Sequence, residues 1–311
     1  MILAVCLNPA LQRTLHFQGL EFDRVNRAKS VVISTGGKGV NVARVASTLG
    51  ADVLLLTLLG GTHGREVKSH LKKEGIPFHA VPVRGNTRIC TTLLDPENGT
   101  QTELVEESEP VTKEEVLKAE REFERLLPRC RFVILSGTAP KGFPDTVYGK
   151  WIAMATRTDV PSILDSPMKL AEHGLASKPW LYKPNWREME ALLGITIQSE
   201  SEAWKAMEIL HSRGAQNVLV TKDGPVALAL TENGFFRILS TDLKVVNPIG
   251  SGDSIAAGVG AAFLHGKSLL EALRFGMACG GANVLTPLAG TIRKKDVGNL
   301  LKDIRMLPVT R

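Results

Sequence analysis

Short apolar runs recur along this chain, and segments with one apolar and one polar face separate them. Buried strands of a parallel sheet are typically such runs, and the crossover helices that join them are amphipathic. The pattern therefore predicts an α/β fold in which helices cover a mainly parallel sheet. The predicted strands cover residues 3–7, 53–58, 132–135, 162–164, 180–182 and 218–220.

Helix signals lie between these runs. Residues 112–127 are the clearest case, because Thr112 and Glu115 have the spacing of a capping box and Pro128 follows the last turn. The alternation of strands and helices is thus supported by start and stop signals as well as by periodicity.

Two segments interrupt this alternation, residues 12–34 and residues 84–107. They are rich in β-prone residues, and the second contains a strong turn signal at residues 95–99. We predict two hairpins that form one small β-sheet, a lid, on a core made of residues 1–11, 35–83 and 108–311. The apolar face of the lid could close over a bound substrate, pair with a second subunit, or do both. The alternating residues that indicate this face are Thr91, Leu93, Thr102 and Leu104.

Composition excludes several classes of function. Hydrophobic residues make up 43% and charged residues 23% of the 311 residues, which is ordinary globular usage. The net charge of +6 comes from 38 Lys and Arg against 32 Asp and Glu, spread along the chain. Because nucleic-acid binding usually needs clustered basic residues among aromatic ones, and aromatic residues are only 5%, we expect no nucleic-acid partner.

The placement of cysteine, histidine and apolar residues narrows the setting. Cys6, Cys90, Cys130 and Cys279 are far apart and form no Cys-x-x-Cys pair, which favours reduced thiols and a cytoplasmic location. No apolar run reaches about 18 residues, so we expect no membrane span, and the first residues lack the features of a signal peptide. The seven histidines show no ligand spacing that would indicate zinc.

A glycine-rich motif follows the apolar residues 31–33 and opens a predicted helix. Its glycines allow a ligand to approach the backbone closely, and the free amides of a helix start favour an anion or sugar hydroxyls. The alternative is a turn that only packs helix against sheet. A Walker loop or a dinucleotide fingerprint would need a different spacing. The motif reads Gly36-Gly37-Lys38-Gly39-Val40-Asn41.

A second glycine motif, residues 247–254, precedes the helix predicted for residues 255–264. It differs from the first because Asp253 places a carboxylate beside backbone amides. Such a carboxylate can take a proton from an alcohol while the amides hold a transferred phosphoryl group. The alternative is that Asp253 is only the N-cap of the helix.

Together these motifs resemble the paired signatures of the PfkB sugar kinases, within the ribokinase-like superfamily, and most closely the branch of 1-phosphofructokinase and tagatose-6-phosphate kinase. The resemblance covers almost the whole chain. It implies a three-layer α/β/α sandwich with a mainly parallel sheet and a small β-sheet lid. The matching segments are residues 7–11, 36–44, 136–140, 183–185 with Glu188, and 250–254.

The resemblance also implies roles for individual residues. Asp253 would be the catalytic base, and the amides of Gly250, Ser251, Gly252 and Asp253 would form the anion hole for the γ-phosphoryl group of ATP. Glu188 would order Mg²⁺ through water. The residues implied on the ATP side are Lys183, Asn185, Thr221 and Asn283, the last of these near the adenine.

On the sugar side, the resemblance implies Gly37, Lys38 and Asn41 around the acceptor and Arg88 and Arg27 toward its phosphate. Arg27 would reach the site of a neighbouring subunit, which implies a homodimer formed through the lids. The expected reaction is ATP-dependent phosphorylation of fructose 1-phosphate, fructose 6-phosphate or tagatose 6-phosphate to a bisphosphate.

The chain departs from the family pattern at several positions. Gln12 stands where relatives carry an Asp that binds sugar hydroxyls, residues 221–227 lack a second glycine, and Pro248 replaces a Thr. Two alternatives therefore stay open. One is a kinase for an uncharged sugar or a nucleoside, and the other is a catalytically silent sensor of sugar or nucleotide on the same fold.

Overall fold

The computed structural model describes residues 1–310. Its strands are β1 (Ile2–Cys6), β2 (Ala10–His16), β3 (Ser30–Gly36), β4 (Val53–Gly60), β5 (Phe78–Val83), β6 (Arg88–Asp95), β7 (Thr100–Val105), β8 (Phe132–Ser136), β9 (Ser162–Asp165), β10 (Leu181–Tyr182), β11 (Val218–Thr221), β12 (Val226–Thr231), β13 (Gly234–Leu239) and β14 (Arg305–Val309). Its helices are α1 (Lys38–Leu49), α2 (Gly61–Lys73), α3 (Lys113–Leu126), α4 (Val147–Arg157), α5 (Met168–Leu175), α6 (Trp186–Leu193), α7 (Glu200–Ser212), α8 (Ser251–Leu264), α9 (Leu269–Val284) and α10 (Lys294–Asp303), with a 3-10 turn at Leu127–Arg129.

The larger sheet has ten strands in the order β14-β13-β12-β11-β10-β9-β8-β1-β4-β5. The strands from β11 to β5 run parallel, and β12, β13 and β14 form an antiparallel edge. The predicted fold class and all the predicted strands of the parallel sheet are confirmed. The antiparallel edge was not predicted. Strands β13 and β14 include exposed positions, whereas β12 is apolar and buried over most of its length.

Strand β1 shows why the molecule has three layers. All of its residues are buried, and they alternate between two apolar clusters. Ile2, Ala4 and Cys6 pack with α1, α8 and α9 on one side of the sheet, and Leu3 and Val5 pack with α3, α4 and α7 on the other. Because successive side chains of a strand point to opposite faces, a continuous apolar run requires a helix layer on each side.

Local signals set the helix starts. The capping box of α3 is present as predicted: the Glu115 amide donates to Thr112 Oγ1 at 3.2 Å, and the Thr112 amide donates to Glu115 Oε2 at 2.7 Å. Such a cap contributes about 1 kcal/mol. Helix α1 begins directly after Gly37, whose φ of 114° lies in the region that favours glycine. A Cβ on Gly39 would overlap the Val5 carbonyl oxygen, so the glycine motif also seats α1 on β1.

The smaller sheet has the order β3-β2-β6-β7 and combines two antiparallel hairpins, β2–β3 and β6–β7, both predicted. Parallel pairing of β2 with β6 joins them. We call this sheet the lid. Its pairing register places one set of side chains on a common face, which we call the inner face, over the main cavity. These residues are Gln12, Thr14, Ser34, Cys90, Thr92, Glu103 and Val105.

Val31, Ile33 and Leu104 point away from the cavity and stay exposed. The division of the chain into core and lid domains stays a prediction. Among the helices of residues 1–310, none combines the length and apolarity needed to cross a membrane.

Candidate active site

Two clefts meet at the carboxyl ends of the parallel strands, the edge at which α/β proteins bind ligands. One has a volume of about 370 Å³ and lies under the inner face of the lid. The other, of about 580 Å³, lies between the loop after β11 and helices α8 and α9. Asn185, Thr221 and Gly252 line both clefts, so ligands in the two clefts would meet at these residues.

A buried ion cluster forms the floor between the clefts. Asp165, at the end of β9, is 1% exposed. It forms ion pairs with Lys38 Nζ at 3.0 Å and with Lys183 Nζ at 3.2 Å. Burial alone would raise the pKa of Asp165, but the charges of Lys183 and Lys38 outweigh it and hold that pKa below its usual value. The carboxylate is therefore ionised and both ammonium groups are fixed beside it.

Lys38 is also bound by a second carboxylate. Its Nζ lies 3.1 Å from Glu188 Oε1. Burial would lower the pKa of Lys38, but Asp165, Glu188 and Asp253 together raise it above its usual value, so the side chain stays charged. Glu188 and Asn185 form the capping box of α6, with the Asn185 amide donating to Glu188 Oε2 at 2.9 Å. Both carboxylate oxygens of Glu188 therefore already accept contacts at the floor of the clefts.

Asp253 lies in the first turn of α8, which begins at Ser251, four residues before the predicted start. The N-cap is Gly250, with a φ of 82°, so the reading of Asp253 as an N-cap is wrong. Asp253 Oδ2 accepts a hydrogen bond of 2.8 Å from Asn41 Nδ2. Arg44 Nη1 in turn donates to Asn41 Oδ1 at 2.9 Å, which fixes the orientation of the amide. The carboxylate is therefore held by a chain of side chains from α1.

The environment of Asp253 suits a proton acceptor. Burial, and then the negative charge of Asp165, raise the pKa of Asp253 to about 6, against the opposing effects of Lys38, Asn41 and Lys183. A carboxylate with this pKa is ionised at neutral pH and is a stronger base than an exposed aspartate. Of the three carboxylates at the floor, Asp165 and Glu188 pair with lysine, whereas Asp253 accepts its hydrogen bond from the Asn41 amide.

The amides around Asp253 differ from one another. The first amides of a helix have no partner within the helix, and Gly250, Gly252 and Asp253 line the cavity. The Ser251 amide instead donates to the Pro248 carbonyl at 3.2 Å, and its hydroxyl donates to Gly280. Ser251 lines the larger cleft instead. Its amide, predicted as a donor in the anion hole, already donates to a backbone carbonyl.

The predicted sugar-side residues divide into two groups. Gly37, Lys38, Asn41, Gln12 and Arg88 all line the cavity under the lid. Arg88 Nη2 donates to the Asn8 carbonyl at 3.1 Å, while Nε is buried without a partner, and Gln12 Nε2 donates to Thr92 Oγ1 at 2.9 Å.

Arg27 is in the second group. It is exposed on the loop between β2 and β3, beside Glu21 and Arg24, and it does not line the cavity of its own chain. Within its own chain Arg27 therefore does not reach the cavity, and its contact with the site of a neighbouring subunit stays a prediction.

Among the predicted ATP-side residues, Lys183, Asn185 and Thr221 line the cavity, and a bridge pairs Asn185 with Thr221. Asn283 itself does not line either cleft, and its expected place near the adenine stays a prediction. It is fully buried, donates to the Ile249 carbonyl at 2.8 Å and accepts from the Thr291 amide at 3.3 Å. Its role is to connect the second glycine motif to α9. Neighbouring Gly280, Gly281 and Val284 line the cleft instead.

Two features of the site were not predicted. Asp165 could have been recognised as a carboxylate that directly follows a predicted strand. The contact between Lys222 and Trp186, with Nζ 4.5 Å from the ring centroid, lies in the larger cleft and depends on tertiary structure alone.

Comparison with known proteins agrees with this geometry. The model of the pfkB family of carbohydrate kinases matches residues 5–295. The chain belongs to this family. It is therefore a phosphotransferase that uses an alcohol group of a sugar or sugar phosphate as acceptor, and the resemblance seen in its motifs is confirmed.

Solved structures resemble this kinase over nearly its whole length. A proposed 1-phosphofructokinase from Thermotoga maritima is 25% identical with a TM-score of 0.91, and the match covers 99% of both chains. Phosphofructokinase-2 from Escherichia coli is 24% identical with a TM-score of 0.90, covering 97% of this chain and 98% of the other. A proposed phosphofructokinase from Staphylococcus aureus is 28% identical with a TM-score of 0.78, covering 99% and 98%.

The ion cluster of this kinase leads to a prediction about stability. Removing one partner from a buried ion pair typically costs about 3–5 kcal/mol, because the other charge stays buried. We expect Asp165→Asn to lower the free energy of unfolding near neutral pH by about 3 kcal/mol, measured by urea denaturation. Asp145→Asn is the control, since its ion pair with Lys169 is 3.6 Å long and exposed, and it should cost under about 1 kcal/mol. Equal shifts in the two variants would contradict the structural role of the cluster.

Proposed function

We propose that this protein transfers the γ-phosphoryl group of ATP to a hydroxyl of a hexose phosphate and so forms a bisphosphate. Fructose 1-phosphate, fructose 6-phosphate and tagatose 6-phosphate are the candidate acceptors. The observation that carries the proposal is Asp253, a buried carboxylate with a raised pKa beside the wall that the two clefts share. A sugar in one cleft and a nucleotide in the other would meet at this side chain.

The reaction requires a balanced exchange at phosphorus. Asp253 takes the proton of the acceptor hydroxyl, the alkoxide oxygen forms a bond to the γ-phosphorus, and the bond from that phosphorus to the bridging oxygen of ADP breaks. The amides of Gly250, Gly252 and Asp253 can donate to the transferred group. Gly252 also lets Lys183 approach, since a Cβ there would lie 3.0 Å from Lys183 Nζ. Lys183 would then offset the charge of the phosphates.

The ATP and Mg²⁺ assignments rest on the residues between the clefts. Lys183, Asn185 and Thr221 would contact the phosphates. Mg²⁺ in kinases is bound by one or two carboxylates, waters and phosphate oxygens, and it neutralises charge on the phosphates. Glu188 fits a contact through water, because its two oxygens already accept from Lys38 and from the Asn185 amide.

The charged acceptor is favoured by Arg88. It lines the cavity under the lid and a smaller adjoining pocket with Asn8, Gly137 and Thr138, and its Nε is buried with no hydrogen-bond partner among residues 1–310. A partly buried guanidinium with a free Nε donor suits a phosphate. The alternative acceptor, an uncharged sugar or nucleoside, would be favoured if neutralising both Arg27 and Arg88 left full activity.

The first prediction concerns turnover. With Mg²⁺ and ATP, we expect ATP consumption with at least one of fructose 1-phosphate, fructose 6-phosphate and tagatose 6-phosphate, and little with free hexoses or nucleosides. Asp253→Asn should lower kcat by about 10² to 10⁴, the usual contribution of a general base. A smaller loss would remove the role assigned to Asp253. Silence of the parent protein across the panel, with ligands still bound, would favour the alternative of a silent sensor.

The second prediction concerns pH. Protonated Asp253 cannot accept a proton, so kcat/KM should fall about tenfold per pH unit below about 6. The acceptor phosphate also titrates near pH 6. Asn41→Leu separates the two groups: it removes a hydrogen bond that lowers the pKa of Asp253, so the acid limb should move to higher pH, whereas titration of the acceptor would leave it in place. An unmoved limb would count against Asp253 as the titrating group.

The third prediction concerns the assembly. We propose a homodimer through the lids, in which Arg27 of each chain reaches the site of its partner. The exposed apolar residues Val31, Ile33 and Leu104 support such an interface. Arg27→Met and Asp253→Asn should each be impaired alone. A refolded mixture should regain activity, because one site of the mixed dimer has an intact base and receives an intact Arg27. Absence of any recovery, with mixed dimers demonstrated by sedimentation and mass spectrometry, would refute the shared site.

The cytoplasmic location stays a prediction.

A further inference from the structure

The inner face of the lid has opposite charges at its two ends. In the pairing register, Ala10 lies beside Arg88. Four residues further along both strands, Thr14 lies beside Thr92, which pairs with Glu103. Arg88 and Glu103 both line the cavity. Four residues of strand separate Arg88 from the row of Glu103, which corresponds to about 13 Å. A cation and a carboxylate therefore face the same cavity from opposite ends of the lid.

Glu103 differs from the other carboxylates of this cavity in having no bound partner. Asp165 and Glu188 are bound by lysines, and Asp253 is bound by Asn41. The carboxylate of Glu103 has no hydrogen bond or ion pair with any other residue in the described part of the chain, residues 1–310. Partial burial raises the pKa of Glu103 above its usual value, and the side chain still reaches solvent.

The other polar groups of the inner face are weaker acceptors. Gln12 uses its amide nitrogen on Thr92, at 2.9 Å. Cys90 is a poor hydrogen-bond acceptor, and its pKa is raised by burial, so the thiol stays neutral. A sugar under the lid has several hydroxyls that must donate hydrogen bonds. Glu103 is the group of the inner face that can accept them with a full charge.

We propose that Glu103 binds a hydroxyl of the acceptor other than the one that is phosphorylated, while Arg88 binds the phosphate, so that the two residues fix the direction of the sugar and select for that hydroxyl. This inference rests on the proposed function, since it assigns the sugar phosphate to the cavity under the lid. Glu103 is thereby a specificity-determining residue of the lid, and the proton acceptor remains Asp253.

The test begins with Glu103→Gln, which keeps the shape and removes the charge. Glu107→Gln is the matched control, because it makes the same change nearby on a residue that lines neither cleft. With the best sugar phosphate of the panel, we expect Glu103→Gln to raise the acceptor KM about tenfold or more, as loss of a charged hydrogen bond does. The KM for ATP and the urea midpoint of unfolding should not change. The control should match the parent in every measurement.

A second measurement identifies the hydroxyl. Deoxy analogues of the same sugar phosphate, each lacking one hydroxyl, are compared in the parent and in Glu103→Gln. One analogue should lose at least about tenfold in kcat/KM with the parent but little with the variant, because the two changes remove the same interaction. Equal losses in both proteins for every analogue would overturn the proposal.

Binding of the sugar phosphate by calorimetry separates this inference from the proposed function. Weaker binding by Glu103→Gln with a parent that does not consume ATP would retain the role of Glu103 and remove the kinase reaction. An active parent whose acceptor KM and binding are unchanged in Glu103→Gln would remove the role of Glu103 and leave the kinase reaction intact.

Discussion

The site depends on one buried carboxylate that holds two cations. Asp165 lies at the end of a central strand, and Lys38 from α1 and Lys183 from the end of β10 both reach it. Without Asp165, two ammonium groups would lie close together in a region of low dielectric, which is unfavourable unless one loses its proton. The position of α1, and with it the first glycine motif, is therefore tied electrostatically to the strands on the ATP side.

This constraint also sets the chemistry of Asp253. The carboxylate is buried and near the negative charge of Asp165, so its pKa is raised, but Asn41 and the two lysines limit the increase. The balance keeps it ionised at neutral pH while leaving it a useful base. Arg44 takes part without touching the cavity floor, because it fixes the amide of Asn41 and is itself held by Glu74 at 2.5 Å.

The sequence predicted the parts of this protein that local patterns encode. Continuous apolar runs identified the parallel strands, the spacing of Thr112 and Glu115 identified a helix start, and the glycine motifs identified residues that line the cavity. The edge strands β13 and β14 lack such runs because they are partly exposed, and β12 was missed although it is apolar and mostly buried.

Positions that tertiary contacts decide could not be predicted from the sequence. Asn283 follows a family pattern toward the nucleotide, yet its amide satisfies backbone groups of a buried loop. The loop of Arg27 extends away from its own cavity. Glu103 faces the cavity only because of the register in which β7 pairs with β6. None of these contacts leaves a periodic or local trace in the sequence.

The connection between β2 and β6 has a consequence for how the molecule assembles. Their parallel pairing joins residue 10 to residue 88, and helices α1 and α2 and strands β4 and β5 lie between them in the chain. Contacts between residues so distant in sequence form slowly, since the intervening chain must first be ordered. We therefore expect the lid to be completed only after the intervening part of the core has formed. Because β7 is exposed along its whole length whereas β1 is buried at every residue, hydrogen exchange in β6 should also be faster than in β1. Access to the cavity would then depend on local unfolding of the lid.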